Sequence, residues 1–334
     1  MGSSPRSPRL PSLREVLVRV AVVAGGLSHE RDVSVRSGRR VSDALRRQGV
    51  AVELWDFDVA FLSRLQAHEV DAAFVVLHGG AGENGTVQAI LELAGVPHSG
   101  ATSHACRSAF DKAVAKARLA EAGIATPAWT ALPSATFRDL GAAAVNDLLV
   151  ASLGLPLVVK PVTGGSSLGV TLVDTAAELA PALVAAFSYG VDALVERQMT
   201  GAEVAVPVLE RAGSFVPLQP VLVETAAGQP YDYQARYDAS SGVRYTHLLD
   251  EDPDFDVPAL RALAARVHEV LGLRGLSRVD IRFDADGTAN VLEAAVTPGM
   301  TETSIWPMAI ARAGLDLGQV CLELSRAATV PQPS

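Results

Sequence analysis

A chain of 334 residues with 49% hydrophobic and 19% charged side chains has the apolar content for two or three domains and a sizeable core. Its net charge of -9 excludes non-specific nucleic-acid binding through a basic surface, while leaving room for a local basic site that takes a small anion. Cys106 and Cys321 stand far apart and are the only cysteines, which argues against a disulfide framework or a thiolate zinc cluster and makes a reducing cytoplasm the default compartment.

Met1 to Arg14 is rich in Ser, Pro and Arg and reads as a mobile tail, so residues 1–15 are set apart from the fold. The apolar run that follows is broken by Arg19 and leads straight to Gly25-Gly26, which suits a buried strand better than a signal peptide. No stretch has the length of a membrane span. Val16 to Ala24 is therefore a predicted strand, followed by the loop from Ser28 to Ser34 and a helical pattern through Leu45. Backbone N–H groups at such a junction favour anions, but the loop lacks the G-x-G-x-x-G spacing of a dinucleotide site. Val50 to Trp55 and Ala72 to Leu77 read as two more parallel strands, giving a small doubly wound domain. Ligands of such sheets bind beyond the carboxyl ends of the strands, where Glu30 and His78 both fall. Taken singly, Glu30 also fits a helix cap and His78 a satisfied loop histidine; their convergence at one sheet edge points to a site.

Gly82 to Gly85 precedes a helix that Gly95 and Pro97 close. Ser108 to Ala122 is predicted as one amphipathic helix carrying Lys112 and Lys116, closed by Gly123, and a new domain is expected near it. Leu157 to Lys160 reads as a strand ending in lysine, and Pro161 to Gly169 turns the chain into a second strand, Val170 to Val173. Glycines and serines at the tip of a strand pair let backbone N–H groups approach a polyphosphate. The loop is not a P-loop, which needs G-x-x-x-x-G-K-[ST] before a helix; a plain surface hairpin is the alternative. Ala193 to Arg197 is another strand, ahead of Gly201 and Glu203. The polar segment 224–252, with Tyr231, Tyr233, Tyr237 and Tyr245, has the length of a lid. A helix from Val257 to Leu271 follows.

Arg278 to Thr301 completes the pattern. Val279, Ile281 and Phe283 alternate with polar residues as in a half-buried strand, and Asp286-Gly287 supplies a two-residue turn. A type I′ turn there pairs Asp280 with Glu293. Opposed carboxylates destabilise a strand pair unless a cation or a shared proton lies between them, and magnesium suits such a pair. Two solvated carboxylates on an exposed face are the plain alternative.

In this order the stretches resemble the D-alanine-D-alanine ligases of the ATP-grasp superfamily, over about residues 18 to 320. The resemblance rests on Gly25-Gly-Leu-Ser-His-Glu-Arg-Asp-Val-Ser34, Leu77-His-Gly79, Gly82-Glu-Asn-Gly-Thr86, Asp111-Lys112, Val159-Lys-Pro161, Gly165-Ser-Ser-Leu-Gly169, Tyr231-Asp-Tyr-Gln-Ala-Arg-Tyr237, Ser277-Arg-Val-Asp280, Leu292-Glu-Ala and Pro298-Gly-Met-Thr301. Each is weak alone; the colinear set is specific. It implies an α/β chain with the ATP-grasp fold: an N-terminal doubly wound domain (16–105), a central subdomain (106–196) and a C-terminal subdomain (197–328) with a lid loop (224–252), the last two gripping ATP.

The resemblance also implies roles. Lys112, Lys160, Ser167 and Arg236 would contact the nucleotide phosphates, Glu196 and Glu203 adenine and ribose, and Asp280 and Glu293 one or two magnesium ions, with manganese an acceptable substitute. Glu30 would anchor the ammonium of a first D-alanine and join Ser166 and Tyr237 in closing the lid, near His78. Arg278 and the Gly299 N–H would stabilise a tetrahedral oxyanion, Ser304 would fix the carboxylate of the second D-alanine, and Ile305 would bear on substrate preference. Tyrosine at 237, where members that accept D-lactate tend to carry phenylalanine, favours a peptide product. A homodimer with no nucleic-acid or membrane partner is the family's usual state.

Two positions depart from the pattern. Ala295 stands where an asparagine usually completes the second metal site, and Arg236 replaces a common lysine, a planar fork in place of a point charge. Two other readings follow: a ligase for other amino acids in a specialised pathway, and an attenuated nucleotide-binding paralogue.

Overall fold

Parallel pairing near the amino terminus sets the first layer. The computed structural model describes residues 19–67, 70–225, 231, 235–236 and 240–330. Strand β1 (Arg19–Ala24) lies between β2 (Ala51–Asp56) and β3 (Ala72–Val75), all parallel. Its β-branched and alanine side chains are buried on both faces, as a parallel sheet requires. One face packs on α2 (Phe61–Ala67) and α3 (Thr86–Leu93). The other receives α1 (Arg31–Arg47) and, from the far end of the chain, α10 (Ile305–Arg312) and α11 (Leu317–Arg326) through Trp306, Val320 and Leu324. The chain thus closes on its own beginning.

The helix expected over Ser108 to Ala122 is two helices, α4 (Ser103–Phe110) and α5 (Lys112–Glu121). Asp111 separates them in an extended conformation and accepts the Val114 N–H in its carboxylate, so a short acidic side chain stops one helix and caps the next. Both helices share a core with the third sheet: Cys106, Ala115 and Leu119 cluster with Val206, Val279 and Val291.

The second sheet is antiparallel, in the order β4 (Trp129–Pro133), β7 (Asp192–Arg197), β5 (Leu157–Pro161), β6 (Thr171–Val173). Helices α6 (Ser134–Leu140), α7 (Ala142–Leu153) and α8 (Ala176–Phe187) accompany it, α7 and α8 burying Leu149, Leu153, Leu179 and Leu183 against it. The third sheet is β11 (Arg244–His247), β10 (Val221–Glu224), β8 (Glu203–Arg211), β12 (Leu276–Phe283), β13 (Ala289–Ala295), with β9 (Ser214–Pro217) also on β8 and α9 (Val257–Val270) packed in its core. Strand β11 falls inside the segment read as a loop from 224 to 252. Its polar sequence Arg-Tyr-Thr-His belongs to a strand that, among the described residues, pairs on one side only, with β10, and is exposed at alternate residues. Tyr233 and Tyr237, at the centre of the expected lid, lie outside the described residues.

The β12–β13 hairpin pairs Asp280 with Glu293, by a route different from the expected one. The turn is one residue longer than a two-residue type I′ loop: Asp284 N–H bonds to Thr288 O, Gly287 N–H bonds to Asp284 O, and Gly287 takes a left-handed φ of 78°. A bulge next to Asp280 shifts the register back by one, since Ile281 faces Val291 while Asp280 faces Glu293. The two offsets cancel, and the carboxylates meet.

Candidate active site

Each of the opposed carboxylates has a cation of its own. Arg278 clasps Asp280 through Nε and Nη2, each at 2.6 Å, and Lys112 Nζ lies 3.2 Å from Glu293. Burial pushes the Glu293 carboxyl up, but Lys112, Arg236, Lys160 and Arg278 together outweigh it and hold the group at about 2. Asp280 is also 4.0 Å from Arg236 Nη1, whose guanidinium sits 4.1 Å above the Tyr231 ring.

Lys112 is the first residue of α5, so the Asp111 cap places it. Its Nζ donates to Gly164 O at 2.7 Å and its N–H to Val162 O at 3.0 Å, which joins the hairpin to the loop from 161 to 169. In that loop Ser166 and Ser167 hold left-handed φ values of 49° and 58°, uncommon for side chains with a Cβ and typical of strained functional sites. Their hydroxyls find partners across the cleft. Ser166 Oγ donates to the Glu30 carboxylate and Ser167 Oγ to Tyr231 O.

Glu30 occupies the residue before α1, but its side chain makes no cap hydrogen bond, so the capping alternative fails. It is buried instead between two glycines. A Cβ on Gly79 would fall 2.2 Å from Glu30 Oε2, and one on Gly165 3.1 Å from Oε1. The Gly79 N–H donates to Glu83 Oε1 at 3.0 Å. Burial raises the Glu30 carboxyl, against the Ser166 hydrogen bond; burial and the Glu30 charge push Glu83 up to about 8. His78 is buried, its Nε2 3.0 Å from Ser37 Oγ. Burial pushes it down to about 4, so it is a neutral imidazole at pH 7.

These side chains surround two adjoining cavities. A cleft of about 940 Å³ lies between the second and third sheets, lined by Lys160, Ser167, Glu196, Met199, Glu203 and Arg282 among others. A smaller cavity of about 40 Å³ is lined by Glu30, His78, Glu83, Ser166, Arg278 and Gly299. Both are bounded by Lys112, Gly164, Gly165, Arg236 and Glu293. Deep in the cleft Glu196 accepts from Lys160 Nζ at 2.5 Å, while Glu203 is paired with Arg282 Nη1 at 3.3 Å.

The large cleft and the small cavity together gather Glu30, His78, Lys112, Lys160, Ser166, Ser167, Glu196, Glu203, Arg236, Arg278, Asp280, Glu293 and Gly299. Ser304 and Ile305 line neither. Ser304 Oγ accepts the Thr301 N–H at 3.0 Å, and Ile305 is buried with Ala205, Val221 and Val223, as expected of a β-branched side chain against a strand. Tyr237 lies outside the described residues. Sequence reasoning assigned no site role to Glu83, Lys116 or Arg282. A signal for Lys116 was present: it sits four residues after Lys112, on the same helix face.

Among the described residues no cluster of three or more His, Cys, Asp or Glu side chains gathers. Two opposed carboxylates on the wall of the 940 Å³ cleft fit one magnesium, which takes one or two carboxylates and fills its other positions with phosphate oxygens and water. Ala295 lines the small cavity opposite Arg278 and offers no oxygen from its side chain.

Comparison with known proteins places this architecture. Residues 119–325 match the family model described as D-ala D-ala ligase C-terminus, and residues 58–101 the one described as D-ala D-ala ligase N-terminus. The chain belongs to the D-alanine-D-alanine ligase family. Among the relatives of this family, the D-alanine--D-alanine ligase of Anaeromyxobacter dehalogenans (strain 2CP-C) is 41% identical over 304 residues, 91% of this chain and 94% of its own length. The solved D-alanine--D-alanine ligase of Bacillus anthracis is 28% identical with a TM-score of 0.78, over 93% of this chain and 97% of that one. The same ligase complexed with ATP gives 25% identity and a TM-score of 0.76, with the same coverage. The fold is the ATP-grasp fold of these ligases.

Proposed function

We propose that the chain uses ATP to join two D-alanine molecules into D-alanyl-D-alanine, a precursor of peptidoglycan. The observation that carries the reading is the meeting of the two cavities at Lys112, Gly164, Gly165, Arg236 and Glu293. A nucleotide in the large cleft presents its terminal phosphate there, against a small amino acid held beside Glu30. That its Bacillus anthracis relative is solved complexed with ATP supports the nucleotide assignment.

In the first step the carboxylate of one D-alanine attacks the γ-phosphorus of ATP, giving an acyl phosphate and ADP. Glu30, oriented by Ser166, holds the ammonium of that D-alanine; Lys112, Lys160 and Arg236 neutralise the phosphate oxygens. Such transfer is chiefly positioning and charge compensation. Asp280 and Glu293 would hold magnesium, which supplies further neutralisation of phosphate charge when bound. In the second step the neutral amine of the other D-alanine attacks the acyl carbon and phosphate leaves, with Arg278 and the Gly299 N–H as donors to the oxyanion. Glu203 faces the ribose. Ser304, which lines neither cavity, would serve the second carboxylate only after a local rearrangement, and Tyr237 would close the lid over Ser166. A cytoplasmic homodimer belongs to the same reading.

The test is phosphate release by the purified protein with ATP and magnesium, comparing D-alanine, L-alanine and no amino acid, with the product identified by mass. D-alanine-dependent release with formation of the dipeptide is expected. Release without dipeptide would favour another acceptor, to be found by screening amino-acid pairs. No release would favour the attenuated reading that Ala295 raises.

A further inference from the structure

Lys116 is 1% exposed and contributes to neither cavity lining, yet it ends on a residue that does. Its Nζ lies 2.8 Å from Glu196 Oε2 and 2.5 Å from Thr126 Oγ1. Thr126 gives its own hydrogen to Val291 O at 2.9 Å, so toward Lys116 the hydroxyl can only accept. The ammonium is thereby fixed in direction. Val291 belongs to β13, two residues before Glu293, and its N–H bonds in turn to Ala125 O at 2.9 Å.

Charge balance alone does not account for this lysine. Glu196 already has Lys160 at 2.5 Å on Oε1, and a second buried cation carries a desolvation cost that an apolar side chain of similar volume avoids. What the second lysine does is geometric. It pairs with Oε2 at 2.8 Å as Lys160 pairs with Oε1, so both oxygens of the carboxylate are held in place from behind the cleft. Glu196 is 3% exposed and lines the large cleft. A carboxylate oxygen engaged by one donor keeps a lone pair for another, and the exocyclic amine of a purine has the chemistry to reach it.

We propose that Lys116 is a positioning residue for nucleotide-base recognition: through Glu196 it holds a carboxylate oxygen ready for the base amine, and through Thr126 it ties that oxygen to the strand carrying Glu293. The proposal rests on the reading of the cleft as the ATP site. Lys116 itself does not touch the nucleotide. A base lacking the amine gains nothing from this arrangement.

The experiment compares ADP with purine riboside 5′-diphosphate, which lacks the amine, by calorimetric titration of the whole chain. Wild type is expected to bind ADP about ten- to a hundredfold more tightly, the range for a hydrogen bond to a charged group. Lys116→Met should lose most of that preference while binding of the analogue changes by less than about threefold, and Lys116→Arg should restore part of it. Thr126→Val, which removes the hydroxyl that directs the ammonium and keeps the ion pair, should lower the preference in the same sense and serves if Lys116→Met does not fold. An ADP preference unchanged in either variant, or equal loss of both nucleotides, overturns the role of Lys116 and leaves the cleft assignment intact. Equal binding of the two nucleotides by wild type would instead remove the base-reading role of Glu196.

Discussion

Ser166 and Ala295 show how much single residues decide in this site. The Ser166 hydroxyl donates to the buried Glu30 carboxylate, and a hydrogen bond to a charged group contributes about 1.5–3 kcal/mol. Ser166→Ala should therefore lower kcat/KM for D-alanine about ten- to a hundredfold, with the KM for ATP nearly unchanged, as steady-state kinetics in each substrate would show. Ala295 lies opposite Arg278 and brings only a methyl group. Ala295→Asn supplies the missing oxygen and is expected to increase magnesium affinity in the presence of ADP. Identical magnesium titrations of the two proteins would sink that expectation.

At the scale of elements, α5 is the part whose placement matters most. Its Asp111 cap fixes Lys112 against Gly164 and Glu293, and one turn later the helix delivers Lys116 to Glu196. Losing an N-cap costs about 0.5–2 kcal/mol. Asp111→Ala should lower stability to denaturant by that amount and raise the KM for ATP, whereas Asp111→Ser should keep most of both. The β12–β13 hairpin shows what periodicity reveals and what it misses. Alternation identified the strands, but the expected pairing of Asp280 with Glu293 is met only because a longer turn and a compensating bulge, neither legible in the sequence, cancel. Alternation records neither the length of the turn nor the register shift.

Over the whole molecule, acid stability depends on buried neutral histidines. Burial pushes His78 and His268 down to about 4, while in the unfolded chain each titrates near 6.5. The unfolded state thus takes up protons that the native state refuses. Their contribution is complete above about pH 6.5 and declines as pH falls toward 4, by up to about 3 kcal/mol for each. Denaturant midpoints should fall from pH 7 to pH 5 less steeply than the two histidines alone would give, because the raised Glu83 and Glu30 carboxyls take up protons more readily in the native state and offset part of the loss. His268→Gln, though less stable at pH 7 through loss of the Ser277 contact, should show a shallower decline. Trp306 is fully buried where α10 meets the first sheet; Trp306→Ala should cost about 3–5 kcal/mol and loosen the closure between the two ends of the chain, read as a lowered melting temperature.

The sequence by itself determined the local features whose cause is local. Alternation and β-branched runs marked the strands; Gly25-Gly26, Gly123 and the Gly-Ser loop marked the turns; and Glu30, Lys112, Lys160, Asp280 and Glu293 carried charges that a fold must either solvate or pair. Only the tertiary structure decided what each charge faces. It directed Glu30 to Ser166 instead of its own helix, turned Ile305 into the core, brought Glu83 against Gly79, and set Lys116 behind Glu196. The physical reason is that a buried carboxylate or ammonium is stabilised by partners from distant parts of the chain, and those partners are chosen by how sheets and helices pack, which no local pattern records.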